Sequence, residues 1–195
     1  MAQYNIIAES QEYTVVAEYD HVATPAESFQ SEADLEKEFI RLLGEQGYEY
    51  LPIHTEADLI SNLRTQLEKL NHYHFTDSEW EHFFNECIAN KNDDIVAKTQ
   101  KIQDDYIQVL KRDTGESRNI KLIDKDNIHN NFVQVINQYV EEGGNYDTRY
   151  DVSILVNGLP LVHIELKRRG VQLKEAFNQI NRYQRDSFWA GCGLY

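Results

Sequence analysis

Apolar positions follow two different rhythms along this chain, and the change comes near residue 105. Between residues 31 and 103 they recur every three or four positions, the period of helices with one buried stripe. Ser31-Glu-Ala-Asp34 has the form of a capping box, and Leu35, Phe39, Leu42 and Leu43 follow it in a helix that stops at Gly47. A second helix spans 56–70 on the stripe Leu59, Leu63, Leu67 and Leu70. Thr76-Asp-Ser-Glu79 opens a third, with Trp80, Phe83, Phe84, Cys87 and Ile88 on its buried side, and a shorter helix is expected over 93–103. From Tyr106 the alternation has period two. It predicts strands at 106–110 and 119–123 around the turn Asp113–Glu116, and a third from Phe132 to Ile136 that continues through Tyr139 and Val140. A closing helix over 172–188 presents Leu173, Ala176, Phe177 and Ile180 to the sheet, with Gln179 and Tyr183 on the next face. Before residue 30 only Tyr13–Ala17 reads as a strand, and Tyr48–Leu51 is a short extended piece ended by Pro52.

The most informative stretch is Asp151–Lys167, two strands around Asn157-Gly158. Val152, Ile154 and Val156 share one face of the first strand, and Val162, Ile164 and Leu166 one face of the second. Both apolar faces must meet one core, which fixes the parity of the pairing. A two-residue turn would pair Val156 with Leu159 and Asp151 with Ile164, turning one apolar set outward. An odd-numbered loop instead places Asp151 beside Glu165 and Lys167. The expectation is therefore a three-residue loop, a type I turn with Gly158 in a left-handed bulge. Two carboxylates and a lysine then converge at the open end of a hairpin, where they can hold a divalent cation and orient a water.

Composition narrows the setting. With 195 residues the chain suffices for one domain with a sizeable core, and two cysteines, Cys87 and Cys192, give no disulfide framework and point to a reducing, cytoplasmic compartment. No apolar run reaches membrane-span length, and no signal peptide is visible, so no membrane partner is expected. The net charge of −14 is uneven: residues 1–110 carry 7 basic and 22 acidic side chains, whereas 160–195 carry 6 and 3. Lys167, Arg168, Arg169, Lys174, Arg182 and Arg185 follow the hairpin directly, and a polyanion would be met there. The plainer meaning of the same numbers is an acidic, soluble protein with one less acidic end. His72 and His74 lie in a loop without Cys or Asp beside them and read as surface residues. No Gly-rich loop ends in Lys-Ser/Thr, so this chain has no P-loop for ATP.

An acid, a spacer and then Glu-x-Lys on the next strand resembles the PD-(D/E)xK nuclease superfamily, with Tyr150 in the proline position. The wider wording is more specific. Gln30–Glu36, Tyr150–Lys167 and Glu175–Tyr183 together resemble the N-terminal nuclease domain of the restriction (R) subunit of type I restriction-modification enzymes. The resemblance implies an α/β fold: a restriction-endonuclease-like core with a mixed sheet flanked by helices, a helical insertion, and truncation at its last strand. The chain would form one nuclease domain over 1–195, with an N-terminal segment and first helix to 50, a helical elaboration over 51–105, and the catalytic sheet with the Gln-x-x-x-Tyr helix over 106–195.

The activity implied is that of a type I site-specific deoxyribonuclease requiring Mg²⁺. Asp151, Glu165 and the backbone carbonyl of Leu166 would be metal ligands, and Lys167 would position or help deprotonate the attacking water. Gln179 and Tyr183 match the family's Gln-x-x-x-Tyr element, with Arg182, Arg168 and Arg169 as DNA-binding or supporting neighbours. An acid of the first helix would complete the site, with Glu36 favoured over Glu32. His163 lies on the same face, where it could touch substrate, although the reading favoured is a supporting or surface residue. The partners implied are double-stranded DNA, the methyltransferase and specificity subunits, and the subunit's own motor domains, through which alone ATP would enter. Missing its last strand, the fragment is expected to self-associate through an unpaired sheet edge. Two other readings stay open: a repair or recombination nuclease on the same fold, and an acidic module that docks on and regulates the motor domains.

Overall fold

Strand pairing gathers the second half of the chain around one mixed sheet, against which the helical first half packs. The computed structural model describes residues 4–9, 15–19, 31–141, 148–168 and 173–186. In chain order these form strands β1 (Tyr4–Glu9) and β2 (Val15–Tyr19), helix α1 (Glu32–Glu45), strand β3 (Glu49–Tyr50), and helices α2 (Glu56–Asn71) and α3 (Asp77–Phe83). A π-helical turn, Phe84–Ile88, prolongs α3, and α4 (Ile95–Gln103) follows. Then come β4 (Ile107–Lys111), β5 (Ser117–Lys121), a 3-10 turn at Ile128–Asn130, β6 (Val133–Glu141), β7 (Thr148–Val156), β8 (Leu159–Ile164) and α5 (Leu173–Asp186).

The central sheet has the order β3-β6-β7-β8, with β3 parallel to β6 and the other pairs antiparallel. Two hairpins, β1-β2 and β4-β5, stand apart from it. The first was half legible: β2 corresponds to the expected strand near 13–17, whereas β1, Tyr-Asn-Ile-Ile-Ala-Glu, has too little alternation to announce itself.

The sheet carries a core on each face. On one side Leu43 of α1 meets Val135 and Val152, with Phe39, Ile40, Tyr48, Ile154, Ile164 and Leu166 around them. On the other, Leu59, Leu63 and Leu67 of α2 are fully buried with Ile136, Tyr139, Tyr150, Leu155 and Leu159. Each such leucine contributes about 1.5–3 kcal/mol relative to exposure. The aromatic cluster Phe75, Trp80, Phe83 and Phe84 extends this second core towards the hairpin β4-β5.

Helix starts follow the cap chemistry, with one correction. At Thr76 the capping box is complete: its hydroxyl accepts from Glu79 N, and Glu79 accepts from Thr76 N. At Ser31 only half of it forms. Ser31 Oγ accepts from Asp34 N at 3.1 Å, but the Asp34 carboxylate takes the Ser31 hydroxyl at 2.6 Å instead of reaching back to the backbone. Aspartate is one methylene shorter than the glutamate this motif uses. The face of α5 needs a second correction. Ala176 is buried and Phe177 half-buried, but Ile180 is exposed, so the covered stripe is narrower than its apolar residues suggest. Helix α5 runs beside β1. Among the described residues no helix is long and apolar enough to cross a membrane. The expected truncation of the last strand concerns residues outside those described.

Candidate active site

The hairpin β7-β8 reaches the expected geometry by a different route. Asn157 and Gly158 both have positive φ, 53° and 83°, and Val156 pairs directly with Leu159, which makes a two-residue turn of the type Asn-Gly favours. The expected three-residue loop is not there. The odd residue is Leu161: Leu155 pairs with Pro160, whereas Ile154 pairs with Val162, so Leu161 bulges out of the ladder. Pro160 has no N–H to give the ladder, and pairing becomes irregular just after it.

Burial explains why the extra residue cannot sit in the turn. Asn157 is fully buried, and its side chain donates to Leu122 O and Asn131 Oδ1 while accepting from Phe132 N. Gly158 lies so close to α2 that a Cβ there would come within 2.5 Å of Leu63 Cα. The bulge then restores the parity. Val152 faces Ile164, and Asp151 comes opposite Glu165 at the end of the strands.

Three of the expected residues therefore converge. Leu166 N donates to Asp151 Oδ2 at 2.9 Å, which ties the turn after β8 to the acid on β7. Lys167 Nζ lies 2.6 Å from Glu165 Oε1, in a pair whose side chains are only 16% and 4% exposed. Burial pushes the Glu165 carboxyl above its ordinary range; the Lys167 hydrogen bond opposes this, and the neighbouring Asp151 charge adds to it. For Lys167, burial favours the neutral amine, but Glu165, Asp151 and Glu32 together outweigh it and hold the ammonium above its usual value.

Helix α1 brings two acids to this region, four residues apart and on one face. Glu32 Oε1 accepts from Arg168 N at 3.4 Å and lies near Lys167. Glu36 turns to β6, where its carboxylate accepts from Asn137 Nδ2 at 2.6 Å and from Gln138 Nε2. Sequence reasoning missed Asn137 and Gln138. The left-handed backbone of Gln138, φ 51°, has no signal in an otherwise alternating strand.

Helix α5 closes the other side. An open cleft of about 320 Å³ is lined by Lys167, Glu175, Asn178, Gln179 and Arg182, so Gln179 and Arg182 do meet the Lys167 end of the hairpin. Arg168 is exposed beside it. Tyr183 belongs to the same helix, but its side chain lies outside the described residues, as does all of Arg169. His163 is not in the cleft. Its ring stacks on Tyr150 with centroids 4.5 Å apart, Nδ1 lies 2.9 Å from Ser153 Oγ, and burial lowers its pKa to about 4. It supports the strands from behind. His74 is exposed and contacts Glu68, and His72 is the left-handed residue ending α2.

Among the described residues there is no cluster of three or more His, Cys, Asp or Glu side chains suited to a metal. Asp151 and Glu165 form a pair of oxygen donors with no thiolate or imidazole beside them. That set suits Mg²⁺, which is commonly held by one or two carboxylates together with waters and substrate phosphates. Burial disfavours the charged form of Glu165, with the Asp151 charge adding to it, and a cation beside the two carboxylates would offset both.

Comparison with known proteins gives the family. Residues 29–194 match the family described as type I restriction enzyme R protein N terminus. The chain is 48% identical over 190 residues to the type I restriction enzyme EcoprrI endonuclease subunit of Escherichia coli, covering 97% of this chain and 60% of that protein. It is 38% identical over 165 residues to the SsaAORF53P endonuclease subunit of Staphylococcus saprophyticus, and 29% identical over 177 residues to the HindI endonuclease subunit of Haemophilus influenzae. It spans 17% of the length of each of these two. With most of its length matched by the family and its hairpin built as described, the chain belongs to the family of type I restriction enzyme R protein N-terminal domains.

Proposed function

We propose that this chain is the Mg²⁺-dependent endonuclease domain of a type I restriction enzyme, hydrolysing phosphodiester bonds of double-stranded DNA at the open end of β7-β8. The observation that carries the reading is the convergence of Asp151, Glu165 and Lys167 beyond the bulge in β8. Asp151 and Glu165 would hold the cation with the Leu166 carbonyl as a third ligand. When bound, the cation supplies positive charge against the phosphate oxygens and eases deprotonation of water near neutral pH. Leu166 N–H keeps the Asp151 carboxylate turned towards Glu165. Lys167, held as an ammonium, can donate hydrogen bonds to the attacking water or to a phosphate oxygen, and its short pair with Glu165 limits where it can reach. Gln179 and Arg182 line the same cleft, where an amide and a guanidinium suit a DNA backbone.

The longer relatives carry the name of endonuclease subunits, so the complete activity belongs to a longer subunit. In it, cleavage would be coupled to ATP-driven DNA translocation by motor domains, with a methyltransferase and a specificity subunit reading the DNA site. The test is to build Asp151→Ala, Glu165→Ala and Lys167→Ala into the full-length subunit, assemble it with its partners, and measure cleavage and ATP hydrolysis. Loss of cleavage by about a hundredfold or more, with ATP hydrolysis retained, is expected. Intact cleavage in all three variants sinks the reading.

A further inference from the structure

An acid entering from α1 can complete the ligand set of Asp151 and Glu165, or it can hold the strand beside them. The contacts of Glu36 separate these roles. Both of its oxygens are engaged by amides of β6, Oε1 by Asn137 Nδ2 at 2.6 Å and Oε2 by Gln138 Nε2. Asn137 is itself oriented, because its Oδ1 accepts the Tyr50 hydroxyl at 2.9 Å. A carboxylate gripped on both oxygens by two fixed amides is arranged as a clamp.

What the clamp holds is unusual. Gln138 has φ 51°, and among the described residues the other non-glycine positions of this kind are His72, ending a helix, and Asn157, in a tight turn. Gln138 is inside a strand, where nothing local calls for a left-handed backbone. Such a conformation persists only where the surroundings over-determine it. It stands between the pairs Asn137↔Val152 and Tyr139↔Tyr150, across the ladder from Asp151. There β7 changes face. Tyr150 packs in the core on the α2 side and Val152 in the core on the α1 side, although residues two apart in a regular strand share a face.

We infer that Glu36 is a positioning residue: by gripping the Asn137 and Gln138 amides it holds Gln138 left-handed, and this turns β7 so that Asp151 is aimed at Glu165. The inference deepens the nuclease reading and rests on it. Glu32, one turn earlier, is directed instead to the backbone of Arg168.

A cycle of variants in the full-length subunit, assembled with its partners, separates clamp from ligand. Glycine takes positive φ without steric cost, so in a Gln138→Gly background the clamp has little left to enforce. Alone, Glu36→Gln is expected to slow cleavage by about ten- to a hundredfold, the range that backbone strain of this kind supports. In the Gln138→Gly background the same change is expected to cost no more than about threefold. Mn²⁺ affinity, measured by calorimetry without DNA, follows the same order: weakened by Glu36→Gln alone and little changed by it in the Gln138→Gly background. This second readout serves even where Gln138→Gly itself cleaves slowly. An equal loss from Glu36→Gln in both backgrounds overturns the inference and makes Glu36 a direct participant. Wild-type cleavage by Glu36→Gln also overturns it, and leaves the nuclease reading to be judged by the Asp151, Glu165 and Lys167 variants.

Discussion

Asn157 and Gly158 fix the hairpin from which everything at the site is measured. Gly158→Ala would place a methyl against the Leu63 backbone and impose a β-carbon on φ 83°, and the helix backbone it meets cannot yield. The substitution is expected to destabilise the fold by about 2–4 kcal/mol, read from denaturant midpoints at unchanged m-value. A second residue reports through pH. Asp124 accepts from Asn130 Nδ2 and from the backbone of Asp126 and Asn127, with Lys121 beside it, and these contacts lower its pKa from 3.8 to about 2. A carboxyl with a depressed folded-state pKa contributes stability that is fully present above the unfolded value and lost as pH falls through the folded one. Wild-type stability should therefore decline more steeply than that of Asp124→Asn between about pH 4 and pH 2. Parallel acid-unfolding curves for the two proteins would refute this assignment.

At the scale of elements, the bulge at Leu161 lets a two-residue turn coexist with the pairing of Val152 and Ile164. Inserting one residue between Val162 and His163 leaves that bulge in place and moves every residue after the insertion to the opposite face. Glu165 and Lys167 would exchange places with Ile164 and Leu166, which now pack beside α1. Cleavage by the full-length subunit should then fall to background, with a marked loss of thermal stability. Cleavage surviving the insertion would mean that parity does not govern the site. The same bulge shows how much was legible beforehand. Alternation of Val152, Ile154, Ile164 and Leu166 required one odd residue, and that much was readable. Its location was not, because Asn157 is buried by Leu122, Asn131 and Phe132, and Gly158 by α2, which come from elsewhere in the chain. Helices with clean stripes and complete caps were placed within a few residues. Strand β1, the reversal of β7 at Asp151 and the left-handed Gln138 depend on tertiary contacts, and local pattern carried no trace of them.

For the whole molecule the question is how an acidic chain approaches a polyanion. The excess negative charge lies in residues 1–110, while the cleft end carries exposed Arg168, Lys174 and Arg182. The long helical block is thus suited to face protein, and a role in docking on the subunit's other domains is compatible with nuclease chemistry at the hairpin. DNA would enter where the sign of the charge changes. Each phosphate neutralised by a basic side chain releases about one counterion, so the logarithm of binding falls with the logarithm of salt by about one unit of slope per contact. Arg168→Ala, Lys174→Ala and Arg182→Ala, combined in the full-length subunit, should weaken cleavage of subsaturating DNA most at low salt, where the lost contacts contribute most. They should also make its log–log salt dependence shallower by about two to three units. If net charge alone governed binding, adding basic residues to the exposed acidic face, for example Asp77→Lys and Glu81→Lys on α3, would change the slope as well. The cleft assignment predicts that these leave the slope unchanged, because a salt slope counts phosphates in contact and not net charge at a distance beyond about 10 Å. An unaltered slope in the triple variant would move the DNA path off this cleft, whatever the fate of Asp151, Glu165 and Lys167.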